Sequence, residues 1–157
     1  FWRQNYLYGK RLPIKMDSME KFTLHERLKS DTIFVHDLPL CRVLLMNDSN
    51  YPWFILVPKR DGATEMFELI KEDRIQLEIE VSAIARAIKT NFCAKKINIA
   101  TLGNIVPQLH IHIVARFEND PSWPKPVWGN PDLVQYKNNE LEALIESSSA
   151  IFKELGL

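Results

Sequence analysis

Hydrophobic runs and turn residues in the first third of the chain predict three strands. The runs are β-branched, aromatic or aliphatic, and they cover residues 32–37, 41–47 and 53–59. The turn-rich DSNYP joins the second and third runs and predicts a hairpin. Because the third run is apolar throughout instead of alternating, we expect this strand to lie centrally in a sheet with both faces covered.

The apolar spacing then changes from a strand period to a helical one. Four apolar residues are spaced i, i+4, i+7 and i+11, as on the buried stripe of an amphipathic helix: Leu77, Val81, Ile84 and Ile88. We predict a short helix near residues 64–71 and a long helix from 74 to about 91. Asp73, with Gln76 three residues later, is the expected N-terminal cap of the long helix.

Two more strands and a last helix complete the predicted domain. The strands cover residues 96–102 and 108–116, and their short connection makes them antiparallel neighbours. Five apolar residues mark the helix: Leu141, Leu144, Ile145, Phe152 and Leu155. Asn139 and Glu142 are its expected cap, and Gly156 its stop. The order β-β-β-α-β-β-α predicts an α+β domain with an antiparallel sheet of about five strands and helices on one face.

Composition and charge fit one ordinary globular domain. The 157 residues are enough for one core, and the 46% hydrophobic and 25% charged residues are typical of such domains. Lys plus Arg and Asp plus Glu are balanced at 20 each, so we expect no nucleic acid partner. Cys41 and Cys93 are isolated and predict free, buried thiols in a reducing compartment.

The N-terminal sequence suggests an extension before the domain. Residues 1–16 contain basic and aromatic residues but no long apolar run, so they predict neither a signal peptide nor a membrane span. We therefore expect a cytoplasmic protein with no membrane partner. Because the chain opens with Phe1, Met16 or Met19 is the expected natural start. We divide the chain into an extension, 1–18, and one domain, 19–157.

The segment QLHIHIV, residues 108–114, carries the candidate chemistry. On a strand, Gln108, His110 and His112 share one face, about 7 Å apart, and the aliphatic residues between them lie on the other face. Three interpretations remain open: polar groups that face solvent, a metal site, or phosphoryl chemistry without a metal. A metal needs further ligands. His25 and His36 are the other two histidines, and Glu118 lies two residues beyond the position that a cupin-like pattern requires.

This segment resembles the signature of the histidine-triad (HIT) superfamily, H-φ-H-φ-H-φ-φ, where φ is apolar. Here it is Q-L-H-I-H-I-V, and Gln also replaces the first His in a similar bacterial branch. Upstream, WFILVPKR resembles the family's strand that ends in V-x-P-K, and LLMND resembles its ribose-binding strand. The similarity spans about residues 31–117 and leaves 118–157 as a C-terminal loop and helix. It implies a HIT-like fold and a homodimer.

The resemblance also implies the roles of the histidines. His110 would attack the α-phosphate of an adenine nucleotide derivative, possibly a dinucleoside polyphosphate, and form a nucleotidyl-histidine that water hydrolyses. A neutral imidazole can do so because its ordinary pKa lies near 6.5. His112 would donate a hydrogen bond to a phosphate oxygen. The implied enzyme needs no metal and no cofactor. Gln108 departs from the pattern, since an amide contacts a phosphate but cannot become cationic.

Further residues are expected to bind the substrate. The backbone of Gly103 can approach a phosphate closely, and Asn104 offers an amide donor. Asn98 reaches the phosphates or is a strand-end polar residue. Asn47, with Asp48 as the alternative, aligns with the family's ribose ligand, although NDSN is also an ordinary turn sequence.

Three other positions bear on activity. Ile105 stands where some branches carry Ser or Thr, so we do not expect phosphoramidate cleavage by that route. Trp123 and Trp128 stack on a base, border the phosphate cleft or, the interpretation we prefer, attach the proline-rich loop to the body. The alternative function is a nucleotide-binding or scaffold protein with little turnover, which the replacements Gln108 and Ile105 favour.

Overall fold

Within the residues that the structure describes, 22–129 and 132–156, five antiparallel strands form one sheet; the structure is a computed structural model. The strands are β1 Thr32–Asp37, β2 Cys41–Met46, β3 Trp53–Pro58, β4 Lys96–Ala100 and β5 Ile111–Arg116. They lie in the order β1-β2-β3-β5-β4, and every neighbouring pair is antiparallel. The predicted α+β fold is confirmed, and β3 is central and buried along its whole length.

Three helices accompany the sheet in the described part of the chain: α1 Glu26–Asp31, α2 Lys71–Asn91 and α3 Asn138–Lys153. The apolar stripe of α2 packs as predicted, with Leu77, Ile84 and Ile88 buried in the core. The short helix predicted near 64–71 is wrong in extent, because it is a single 3-10 turn, Met66–Glu68. Helix α1 was not predicted, since its sequence ERLKSD contains one apolar residue.

Both predicted helix caps are wrong. Helix α2 begins at Lys71 after Ile70, and the Asp73 carboxylate instead accepts two hydrogen bonds of 2.7 Å from the Arg60 guanidinium. A charged donor with two N–H groups binds a carboxylate more strongly than free backbone N–H groups do. Helix α3 begins after Lys137, and neither Asn139 nor Glu142 caps it.

The end of α3 and the burial of one cysteine also differ from expectation. The helix ends at Lys153, three residues before Gly156, which has a left-handed φ of +64°. Cys41 is buried, but Cys93 is exposed, so the expectation of two buried thiols is wrong for Cys93. The proposed extension, residues 1–18, lies outside the described residues, and the division of the chain at residue 18 stays a prediction.

The two faces of the sheet are covered differently. Helices α2 and α3 cover one face with mainly aliphatic residues, including Leu56 of β3 and Ile113 of β5. Leu28 of α1 packs on the opposite face with Trp53 and Val127. Helices therefore lie on both faces, contrary to the expectation of one, and the histidines of the 108–114 segment belong to the face of α1.

Candidate active site

His110 and His112 lie side by side at the start of β5. Their ring centroids are 4.8 Å apart, and each residue is only 6% exposed. Ile111 and Ile113 point into the core on the other face of the sheet, so the predicted alternation of faces is present. Strand β5 begins at Ile111, three residues later than predicted, and His110 therefore lies just before it. The pair is held closely and is largely shielded from solvent.

The ring of His110 has one tautomer fixed by the backbone. Its Nδ1 lies 2.7 Å from the carbonyl oxygen of Gln108. Because a carbonyl oxygen can only accept, Nδ1 must carry the hydrogen and donate it. In the neutral ring Nε2 then has a free lone pair, as a nucleophile requires.

The ring of His112 has the opposite tautomer, which is fixed by a side chain instead of the backbone. The indole Nε1 of Trp53 donates to Nδ1 of His112 over 3.0 Å. Because an indole N–H can only donate, Nδ1 is the acceptor and Nε2 carries the hydrogen. Burial, and then the neighbouring His110, lower the pKa of His112 to about 3. His112 is therefore neutral at physiological pH and offers Nε2–H as a donor.

A cavity of about 300 Å³ opens beside the two histidines. Gly103 and Asn104, predicted at the phosphates, line it together with His110 and His112. Gly103 has φ +67°, a left-handed conformation that favours glycine. The other walls come from α1, from the sheet and from the loops around residues 105 and 128: Arg27, Leu28, Asp31, Thr32, Met46, Ile55, Leu102, Ile105, Val106, Trp128 and Gly129.

A buried ion pair holds the loop after β5 that forms one wall. Arg116 donates to both carboxylate oxygens of Asp120, at 2.8 and 3.0 Å, and both side chains are 2% exposed. Burial opposes ionisation of Asp120, but Arg116 and the backbone N–H groups of Phe117 and Ser122 lower its pKa. This arrangement fixes the proline-rich loop against the sheet.

The two tryptophans of this loop have different positions. The ring of Trp123 lies 5.8 Å from the guanidinium of Arg116, where a cation–π contact attaches the loop to the body. The ring of Trp128 lies 5.7 Å from that of His112 and lines the cavity. Trp123 therefore attaches the loop to the body of the domain, whereas Trp128 borders the candidate site.

Four predicted substrate ligands are not among the residues that line this cavity. The side-chain oxygen of Asn47 accepts from the N–H of Tyr136, and that of Asp48 accepts from the N–H of Val134. The oxygen of Asn98 accepts from Arg116 at 2.7 Å. Gln108 bonds to two backbone groups of the segment before α1, the carbonyl of Thr23 and the N–H of His25. In the structure these side chains fasten chain segments around the site.

Three residues at the site were not predicted. Trp53 opens an apolar strand, and its side chain looked like core until the structure placed it beside His112, 59 residues away. Arg27 and Asp31 come from α1, which the sequence pattern does not reveal. Their side chains are 58% and 43% exposed, and they approach each other to 3.4 Å. Two charged residues four positions apart give no sign of a ligand cavity before the fold is known.

The metal interpretation gains no third ligand from the fold. In residues 22–129 and 132–156, no group of three His, Cys, Asp or Glu side chains is placed to hold one ion. His25 caps α1 by accepting from the N–H of Arg27, and Nδ1 of His36 lies 3.5 Å from Ser149. Metal independence stays a prediction.

No helix within residues 22–129 and 132–156 is long and apolar enough to span a membrane.

Comparison with known proteins identifies the family to which this fold belongs. The family model for the HIT domain matches residues 27–119. A histidine triad protein from Bradyrhizobium japonicum is 44% identical, with 83% of this chain and 98% of that chain covered and a TM-score of 0.81. One from Sinorhizobium meliloti is 44% identical, with 87% and 98% covered and a TM-score of 0.81. One from Marinobacter aquaeolei is 42% identical, with 85% and 98% covered and a TM-score of 0.83. No curated protein matches significantly.

The chain therefore belongs to the HIT domain family, and the resemblance seen in the sequence is confirmed. This superfamily includes nucleotide hydrolases and transferases. Membership suggests nucleotide binding, or hydrolase or transferase activity.

Proposed function

We propose that this protein is a metal-independent nucleotide hydrolase or nucleotidyl transferase that works through a nucleotidyl-histidine intermediate on His110. The observation that carries the proposal is the bond from Nδ1 of His110 to the Gln108 carbonyl. It leaves the Nε2 lone pair free beside a cavity that also contains Gly103 and Asn104. A nucleophile, hydrogen-bond donors and space for a ligand thus meet at one place.

In the first step, Nε2 of His110 attacks the α-phosphorus and forms an N–P bond. The bond from phosphorus to the leaving oxygen breaks, and that oxygen keeps the electron pair and takes a proton from solvent if it needs one. The imidazole becomes cationic, and the Gln108 carbonyl that accepts from Nδ1 stabilises this charge. Nε2–H of His112 donates to a phosphate oxygen as negative charge develops there.

In the second step, water or another hydroxyl attacks the same phosphorus. The N–P bond breaks, its electron pair returns to Nε2, and the proton of the attacking group passes to solvent. The neutral His110 is regenerated, because its Nδ1–H stays with the Gln108 carbonyl throughout. The products are a nucleoside monophosphate or its ester and the free leaving group.

The substrate class and assembly follow from family similarity. We propose an adenine nucleotide derivative, such as a dinucleoside polyphosphate, a cytoplasmic location and a homodimer. Gly103, Asn104 and the cationic Arg27 suit the phosphates. Gln108, Asn98, Asn47 and Asp48 remain our proposed substrate ligands, although the bonds described above favour support of the surrounding segments.

The test is turnover of diadenosine tetraphosphate in the presence of EDTA, with mass spectrometry of protein quenched during the reaction. We expect product, and a nucleotidyl adduct on His110. His110→Ala should lower kcat at least about 1,000-fold. The matched control, His36→Ala, removes a histidine of β1 outside the cavity and should retain activity. Full turnover by His110→Ala would contradict the nucleophile, and turnover abolished by EDTA would contradict metal independence.

The second candidate is a nucleotide-binding or scaffold protein with little turnover. The observation that favours it is Gln108, whose amide bonds to Thr23 and His25 where the family signature has a histidine. Calorimetry with AMP and phosphorus NMR with diadenosine tetraphosphate separate the two functions. Binding without product would support the second candidate, and steady product formation would exclude it.

A further inference from the structure

Trp53 makes a buried hydrogen bond to His112 that the proposed function does not use. Its Nε1 lies 3.0 Å from Nδ1 of His112, and the bond is buried. The two rings meet edge to face, with centroids 5.5 Å apart and an interplanar angle of 65°. Trp53 is 8% exposed and is not among the residues that line the cavity. It therefore contacts the site through His112 and not through the ligand space.

The sheet geometry explains how this contact arises. β3 pairs antiparallel with β5, with Ile55 opposite His112 and Trp53 opposite Val114. Trp53 and His112 are therefore diagonal neighbours on the same face, within reach of a long aromatic side chain. Backbone hydrogen bonds of the central strands fix both positions, so the bond does not depend on a surface loop.

We propose that Trp53 is a positioning residue that holds His112 in the neutral tautomer with hydrogen on Nε2, aimed into the cavity. The catalytic meaning of this role rests on the proposed function. An imidazole whose Nδ1 lone pair is occupied by a donor cannot take a proton there without losing that bond. The ring also cannot turn over without leaving the buried indole donor of Trp53 unpaired, which is unfavourable.

A tryptophan that only fills the core would not need its N–H. Trp53→Phe separates the two roles because it keeps an aromatic ring and removes the donor. The neighbouring Trp128 provides a matched control. Its ring also meets His112 edge to face, at 5.7 Å, but its Nε1 is buried with no hydrogen-bond partner in the described structure. Trp128→Phe should therefore leave the tautomer of His112 unchanged.

The first measurement is nitrogen NMR of the full-length protein labelled with nitrogen-15, titrated from pH 5 to 8. In the wild type we expect His112 to show hydrogen on Nε2 throughout, without titration. We also expect a coupling across the hydrogen bond between Nε1 of Trp53 and Nδ1 of His112. In Trp53→Phe we expect His112 to exchange between its two neutral tautomers, because the donor that holds Nδ1 as the acceptor is gone. The Trp128→Phe spectrum should match the wild type at His112.

Kinetics then connect this role to chemistry. At pH 7 we expect Trp53→Phe to lower kcat by about tenfold or more with little change in KM, because the donor matters as charge develops on the phosphate. The proposal is overturned if the wild type lacks the coupling, or if His112 keeps one non-titrating tautomer in Trp53→Phe. The coupling needs no variant, so misfolding of Trp53→Phe cannot hide the result. If the NMR results hold but the wild type has no turnover, the proposed function fails and the positioning role stands.

Discussion

The helix-covered face and the histidine face of the same sheet are stabilised by different physical means. Under α2 and α3, the sheet contributes aliphatic and aromatic side chains such as Leu56, Ile113 and Phe54, which pack without polar contacts of their own. On the other face, His112 is bonded to Trp53 and Arg116 is paired with Asp120, all largely buried. The first face depends mainly on packing, and the second also depends on buried polar side chains that bond to one another.

Strand β5 contributes to both faces through simple alternation. The side chains of Ile111, Ile113 and Ala115 lie on the helix-covered face, and those of His112 and Arg116 lie on the histidine face. A substitution on the first face should change stability with little direct effect on the cavity. A substitution on the second face should change stability, the cavity and its chemistry together.

The largest expected effect is on the buried pair that holds the loop wall. Asp120→Ala leaves the buried Arg116 guanidinium without a carboxylate to balance its charge and frees the N–H groups of Phe117 and Ser122. We expect a loss of about 3 to 5 kcal/mol in the free energy of unfolding, measured by urea denaturation. The control is Glu118→Ala, whose pair with Lys95 is 65% and 61% exposed and should contribute less than about 1 kcal/mol. Equal losses in the two variants would contradict the distinction.

The second-largest expected effect is on the stability of the helix-covered face. Ile84→Ala removes a fully buried side chain from α2 and should cost about 2 to 5 kcal/mol. Ile79→Ala, on the same helix, removes a side chain that is 46% exposed and should cost less than about 1 kcal/mol. Turnover per folded molecule should be unchanged in both variants, because neither residue lies at the cavity. A selective loss of turnover in Ile84→Ala would break the separation of the two faces.

The helix-covered face is also the part of the fold that the sequence pattern predicts best. The stripe of α2 and the continuous burial of β3 follow from spacing within one element, which is local information. Local signals failed where a distant partner competed. Asp73 was expected to cap α2, but Arg60, 13 residues away, binds its carboxylate.

For the histidine face, the sequence predicted which residues lie together but not the contacts that surround them. Alternation placed His110 and His112 together, and the glycine turn suggested Gly103 and Asn104 beside them. The bond from Trp53 joins residues 59 apart, and the oxygen of Asn47 is used by Tyr136, 89 residues away. Such pairings depend on how the sheet and the C-terminal segment come together, which no short motif encodes.

Acid should weaken the histidine face through His112. Its pKa is about 3 in the folded protein and about 6.5 when unfolded, so the unfolded state binds the proton first as the pH falls. The stabilisation is complete above about pH 6.5 and is lost progressively toward pH 3. Between pH 7 and pH 4.5 we expect this group to account for a loss of about 2 kcal/mol in the free energy of unfolding.

The measurement is urea denaturation of the wild type and of His112→Asn at both pH values. Asp37 and Asp120 also lose stabilising interactions in acid, because their pKa values are lowered in the folded protein. Arg42 lowers the pKa of Asp37, and for Asp120 the hydrogen bonds outweigh the opposing effect of burial. Both effects are the same in the wild type and the variant. The difference between the two pH dependences therefore isolates His112. An identical dependence in the variant would show that burial does not keep this imidazole neutral.

The smallest effect concerns the exposed wall that α1 adds to the histidine face. Arg27 lines the cavity and is 58% exposed, so its attraction for an anionic ligand acts through solvent. We expect Arg27→Gln to weaken AMP binding about threefold in 50 mM salt and to change the free energy of unfolding by less than about 0.5 kcal/mol. Lys29→Gln removes the same charge from the same helix but from a different groove, and should weaken binding less.

Calorimetry in 50 and 500 mM salt separates a local contact from general charge. The effect of Arg27→Gln should shrink in high salt, because the Debye length falls to a few ångströms and exposed charges are screened. Equal weakening by Arg27→Gln and Lys29→Gln would mean that AMP senses only the net charge of α1. In that case the helix closes the cavity as a packed wall, and the polar contacts that select the ligand belong to the buried side of the site alone.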